Sequence, residues 1–234
     1  MRLNHYISST GYCSRREADR LIEQQRVKVN QQIAIIGQQV APEDRVEVDG
    51  VLIELKQDLI YIVLNKPIGI ISTTDQSIEN NIIDYIQHPQ RIFPVGRLDK
   101  DSQGLILLTN DGSIVNKILD EANNFEKEYL VKVDQEISEA FINQMRQGVQ
   151  IYNPVKNQYQ ITKPSQVEVI DQQSFKIILT QGLNRQIRRM CLKLGYRVTH
   201  LKRVRFMHIS LNNLKYGKWR YLSSQELSEL LKAL

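Results

Sequence analysis

The chain of 234 residues is poor in the groups that build metal sites or cross-links: it has two cysteines, Cys13 and Cys191, far apart and with no Cys-x-x-Cys pair or Cys/His set at ligand spacing. Neither a disulfide framework nor a zinc site is expected. The four histidines, His5, His88, His200 and His208, are scattered, and none reads as catalytic. No apolar run approaches the ~20 residues that cross a bilayer, and the amino terminus, Met1-Arg2-Leu3-Asn4-His5, lacks a secretory apolar core. A cytoplasmic protein without a membrane partner is expected. A phosphate loop and a dinucleotide fingerprint are missing as well, so no cofactor and no metal is expected. The sequence shows no internal repeat and is silent on oligomeric state, with a monomer as the default.

One segment lacks acid altogether. From Gly182 to Arg220 there are eleven Lys and Arg residues and no Asp or Glu, within a chain whose net charge is only +5. The remainder is therefore net negative. Such segregation of sign points to a polyanionic partner, because clustered cations gain by releasing counterions from phosphates. A solvated charged face is the plain alternative.

In chain order, residues 1–50 read as a small unit. Leu3, Tyr6 and Ile7 have helical spacing, and Ser14-Arg15-Arg16-Glu17 has the form of a capping box opening a second helix with Ala18, Leu21 and Ile22 on its apolar face. Val27 and Val29, then Val46 to Val48, alternate as short strands, the second ending in an Asp49-Gly50 turn. Residues 51–59 read as a linker, and 60–234 as a second domain. There Ile60 to Leu64 is a buried strand broken by Asn65-Lys66-Pro67-Ile68-Gly69, followed by a further strand, Ile70 to Thr73. A short helix is expected between Asn81 and Ile86, another from Ser113 to Leu119, a strand over Lys127 to Val133, and a helix around Phe141 and Met145. Two strands are expected between Gln166 and Gln181. A helix capped by Asn184 should bury Ile187, Met190, Cys191 and Leu194. Val198 to Phe206 suggests a strand pair, and Leu227 to Leu231 a final helix. Strands outnumber helices without strict alternation, so the class is α+β with a mainly antiparallel sheet.

The stretch from Phe93 to Gly112 organises the rest. Arg97 and Asp99 stand on a turn flanked by Gly96 and Gly104, with Asp101 and Ser102 able to bond local amides, before the apolar run Leu105 to Thr109. On residue type alone, Asp99 is more simply a turn residue capping an amide. In the basic segment, Arg185, Arg188 and Arg189 are helical neighbours, which requires an anion among them, from this protein or from a ligand.

Gly96-Arg97-Leu98-Asp99, Ser102-x-Gly104-Leu105 and Leu107-Leu108-Thr109-Asn110-Asp111-Gly112 resemble the signature of the pseudouridine synthases of the RsuA/RluB/RluF group. Asn65-Lys66-Pro67-x-Gly69, and Arg185-Gln186-Ile187-Arg188-Arg189-Met190 with Leu194-Gly195-Tyr196, resemble further motifs of that group. Asn184-Arg185 before Gln186 is similar to the RluF type. The run Cys13 to Ala18, with Gly37 and Asp44-x-Val46, resembles an S4 RNA-binding domain.

The resemblance implies a small S4-like domain followed by a catalytic domain that isomerises uridine in RNA to pseudouridine. The target it implies is 23S ribosomal RNA of the large subunit, with a tRNA anticodon stem-loop as an additional substrate. It implies Asp99 as the catalytic residue, acting on the sugar carbon or as a base. Arg188 is expected as its ionic partner, Tyr129 against the uracil ring and Ile187 in the apolar wall. Arg97 is expected to fill the space left by the extruded base. Arg15, Arg16, Arg20, Arg185, Arg189 and Arg203 are the expected RNA-binding cations. The alternatives are a non-catalytic RNA-binding or ribosome-assembly protein, in which Asp99 is dispensable, and a base-excising hydrolase, which would release free uracil.

Overall fold

The computed structural model describes residues 1–55 and 58–234. The chain divides into two compact units: Met1–Ile60 with His88–Ile92 and Asn110–Gly112, and Tyr61–Gln87 with Phe93–Thr109 and Ser113–Leu234.

The first unit contains α1 (Leu3–Ser9), α2 (Arg15–Glu23), β1 (Val27–Val29), β2 (Gln32–Ile33), β3 (Val46–Val48) and β4 (Val51–Leu52). Its strands form one antiparallel sheet in the order β2-β1-β3-β4. Leu3, Ile7, Ala18, Leu21 and Ile22 of the helices share a core with Val27, Val46 and Val48 of the sheet. The Ser14 side chain accepts from the Glu17 N–H at 3.1 Å. The other half of the expected capping box is not formed, because the Glu17 carboxylate instead takes Arg20 at 3.1 Å. At Asp49 and Gly50, φ values of 52° and 77° match the twist of a tight hairpin. That turn sends Val51 and Leu52 back along β3, so these residues of the expected linker are paired strand. The linker's Lys56 and Gln57 lie outside the described residues.

The second unit begins with β5 (Tyr61–Lys66), α3 (Ile82–Ile86), β6 (Phe93–Val95), β7 (Gln103–Thr109) and α4 (Gly112–Leu119). It continues through β8 (Lys127–Val133), α5 (Glu139–Gln147), β9 (Gln150–Asn153), β10 (Gln158–Ile161), β11 (Gln166–Asp171) and β12 (Ser174–Leu179). The last elements are α6 (Gln186–Lys193), β13 (Val198–Phe206), β14 (Ile209–Ser210), β15 (Trp219–Tyr221) and α7 (Ser224–Lys232). The main sheet runs β11-β12-β8-β13-β7-β5-β15, with β6 beside β7 and β14 beside β13. Its described pairings are antiparallel apart from β13 with β7, which run parallel.

Both faces of β5 and β7 are buried, which explains their unbroken apolar runs. Val131, Phe141, Met145, Phe175, Ile177, Met190 and Cys191 form one core under α5 and α6. Tyr61, Val63, Leu105, Leu107, Ile114, Ile118 and Phe206 belong to another, with α4.

Four expectations change. Asn65 and Lys66 continue β5 rather than ending it. Ile70 to Thr73 is not a strand; Ile71 makes an isolated bridge with Asn81, and the segment serves as a brace for the loop after β6. Asn184 is not the cap of α6: Arg185 holds that position in the left-handed region, φ 50°, and Asn184 Oδ1 accepts from Arg189 at 3.1 Å. The segment read as a strand pair is one strand, β13, with the short β14 returning beside its end.

Candidate active site

The loop between β6 and β7 is held from several directions. The Ser72 hydroxyl donates to Leu98 O at 2.8 Å and accepts from Leu98 N at 3.2 Å. The Gly69 N–H donates to Lys100 O at 2.8 Å, and the Ser102 N–H to Asp99 O at 3.1 Å. Each bond fixes a loop backbone group, so the direction of the Asp99 side chain is set by a rigid frame. At the end of the loop, Gly104 pairs with Arg203 across the parallel junction. A Cβ there would stand 2.1 Å from Arg203 O, so only glycine lets β7 approach β13 this closely.

Beneath this loop is Lys66, fully buried at 0% exposure. Its ammonium donates to Pro67 O at 2.9 Å and to Ile70 O at 2.7 Å. Burial pushes its pKa down to about 8, opposed by the carboxylates of Asp99 and Asp101. Sequence reading assigned this lysine only to a turn. Its one visible signal was a cation at the end of an otherwise apolar strand.

The two aspartates of the loop are treated differently. Asp101 receives both terminal nitrogens of Arg185, at 3.0 and 2.9 Å, and Arg188 Nε lies 3.5 Å from its carboxylate. The Arg185 bond holds the Asp101 carboxyl below its ordinary range, with Arg188 contributing. Asp99 is half-buried, and among the described residues no side-chain or backbone donor is within hydrogen-bonding distance of its carboxylate. Its nearest cation is Arg185, at 3.7 Å.

The expected Asp99–Arg188 pair is therefore not formed. Arg188 instead donates to Asp101 O at 2.8 Å and Val198 O at 3.2 Å, locking the loop to β13. The anion required among the helix arginines is the protein's own Asp101.

A cleft of about 450 Å³ opens beside Asp99. The loop supplies Arg97, Asp99 and Ser102; β8 supplies Lys127 and Tyr129; residues 181–187 and β13 close the other walls. This volume suits a small organic ligand. Arg97 is exposed and has no paired acceptor among the described residues. Tyr129 is half-buried, opposite Arg203 on β13 and Ile177 on β12. Ile187 both joins the core and lines the cleft, because the first turn of α6 separates the two.

Lys127, unnoticed in the sequence, lies 5.6 Å from the centre of the Phe206 ring. Burial pushes its pKa down to about 8, and Arg203 adds to the shift.

Arg203 lines the cleft as well, but it is not a surface cation. It is buried, and its Nε donates to Leu105 O at 2.6 Å. Arg189 donates to Tyr152 O and Asn184 Oδ1, each at 3.1 Å. In the first unit Arg15, Arg16 and Arg20 are exposed on α2, and Arg20 is paired with Glu17.

A presented carboxylate, an aromatic and aliphatic wall and cations at the rim can hold a planar base and act on a sugar carbon. The chain belongs to the RNA pseudouridylate synthase family, whose model matches residues 60–193; the S4 domain model matches residues 1–46. It is 52% identical, over all of its own length and 79% of the relative's, to the dual-specificity RNA pseudouridine synthase RluF of Escherichia coli. The ribosomal large subunit pseudouridine synthase B of Bacillus subtilis is 33% identical, over 98% of this chain and 95% of that one. A crystal structure of a pseudouridylate synthase superposes with a TM-score of 0.70 at 28% identity, covering the whole of both chains. The protein is an enzyme that isomerises uridine in RNA to pseudouridine.

Proposed function

We propose that Asp99 carries this isomerisation, on uridines in 23S ribosomal RNA of the large subunit and in a tRNA anticodon stem-loop, in the cytoplasm. The observation behind the catalytic role is the contrast inside one loop: Asp101 absorbs the arginines, while Asp99 is presented to the cleft without a bonded donor. The base is cut from the sugar at nitrogen, turned, and rejoined through carbon five. Asp99 acts on the sugar carbon or takes a proton there. Tyr129 and Ile187 hold the uracil between an aromatic and an aliphatic wall, and the Tyr129 hydroxyl assists deprotonation of carbon five. Arg97 replaces the extruded base in its stack. Arg188 acts through the loop as a positioning residue. Arg15 and Arg16 of the S4 domain contact backbone phosphates.

The choice of RNA rests on the relatives: the Escherichia coli protein is named as dual-specificity, and the Bacillus subtilis protein as a ribosomal large subunit enzyme. The test is pseudouridine mapping, by carbodiimide-dependent reverse-transcription stops, in cells lacking the gene. Sites in ribosomal and transfer RNA should disappear, return with the wild-type gene, and stay absent with Asp99→Asn. Loss of no site, despite tight RNA binding, would favour an assembly factor.

A further inference from the structure

Strands β9 and β10 form a two-stranded ribbon apart from the main sheet. Along β9 the burial alternates residue by residue. Ile151 and Asn153 are buried, whereas Tyr152, Tyr159 and Ile161 are 38%, 69% and 69% exposed. Tyr152 and Tyr159 are directly opposed in the ladder, their ring centres 5.4 Å apart and their planes at 63°. The Tyr152 hydroxyl bonds Asn157 in the connecting turn, so one ring of the pair is already held in place. The ribbon thus shows solvent an ordered aromatic and aliphatic face, which nothing in the catalytic account uses.

Two features indicate the occupant. From Ala140 to Val167 the chain contains Arg146, Lys156 and Lys163 and no Asp or Glu, so the ribbon and its flanks are positive. The ribbon is also tied to the cleft: Arg189 donates to Tyr152 O and to Asn184 Oδ1, and Asn184 is a cleft-lining residue. One side chain, Arg189, therefore links the ribbon strand that carries Tyr152 to the wall of the cleft. Aromatic rings beside cations, without acids, bind unpaired bases by stacking and tolerate any sequence.

We propose that the exposed face of β9 and β10 is a stacking platform for unpaired bases flanking the target uridine, with Tyr159 as its principal contact. The proposal rests on RNA being the substrate and adds a second contact surface outside the reacting centre.

The test uses the full chain, a short single-stranded RNA carrying 5-bromouridine, and the same strand unmodified. Irradiation should cross-link the brominated strand to a peptide containing Tyr159. Tyr159→Ala should abolish that cross-link and weaken binding of the unmodified strand about tenfold. Tyr159→Phe, which keeps the ring, should stay within about twofold of wild type, and conversion at saturating ribosomal RNA should be unchanged in both variants. Unaltered affinity in Tyr159→Ala, or cross-links mapping only elsewhere, would overturn the proposal. If the protein converts no uridine while the Tyr159 cross-link persists, the functional reading fails and the platform stands.

Discussion

Arg15 and Arg16 in the first unit are exposed and make no ion pair among the described residues, whereas several arginines of the basic segment in the second unit are bound internally. Arg185 and Arg188 hold Asp101, Arg203 holds Leu105 O, Arg205 takes Glu126 and Glu128, and Arg220 takes Glu226. Part of the charge of the longer basic run is thus answered within the protein. Linear charge density reports a polyanion site only after internal partners are subtracted. Those partners, Asp101, Glu126, Glu128 and Glu226, all come from outside the acid-free segment or from its far side.

Removing a buried cation should affect the fold first. Arg203→Ala leaves Leu105 O without its donor and a hole beside Phe206, at a cost of about 3 kcal/mol in urea unfolding. A loss of RNA affinity with stability intact would return Arg203 to the phosphate-binding group. Asp101→Asn breaks the ion pair to Arg185 and loosens Arg188. It should slow single-turnover conversion by roughly ten- to a hundredfold through misplacement of the Asp99 loop. Its cost in stability stays below about 1 kcal/mol, because this pair is half exposed and screened.

In the first unit the expected change is in binding instead. Arg15→Glu with Arg16→Glu should weaken RNA binding about tenfold and flatten its salt dependence, while leaving conversion of bound RNA unchanged. Equal affinity would make α2 a bystander.

The smallest effect concerns Lys66. Its pKa in the folded protein is about 8, against an ordinary value of 10.5. The unfolded chain therefore keeps this proton to higher pH, and stability rises as pH climbs through that window. Relative to Lys66→Met, the wild type should gain about 1 kcal/mol between pH 8 and 9. Parallel curves would show that the buried lysine keeps its proton throughout this window.

The Asp99 loop could be read from the sequence because its determinants are local: a glycine at each end, short polar side chains within, and an apolar strand after it. The strands around it were equally plain, since β7 and β8 carry continuous or alternating apolar residues. The partner of Asp99 was not legible. Choosing between Arg185 and Arg188 depends on the left-handed backbone at Arg185, which turns that side chain toward the loop; helical spacing alone places both within reach. Lys66 was hidden because a strand buried on both faces has no alternation to mark which side chains point inward. The ribbon of β9 and β10 raised no expectation, its polar residues and Pro154 masking two short strands. The S4 domain came through in outline, but β4 was read as linker because a two-residue strand has too few positions to show a period.

The most direct measurement is single-turnover conversion of saturating RNA by Asp99→Asn beside Asp101→Asn, with binding measured in parallel. The account predicts normal binding by both, residual conversion by Asp101→Asn, and none detectable by Asp99→Asn, a loss of about a thousandfold or more. Conversion by Asp99→Asn within about tenfold of wild type would contradict it and remove Asp99 from the chemistry.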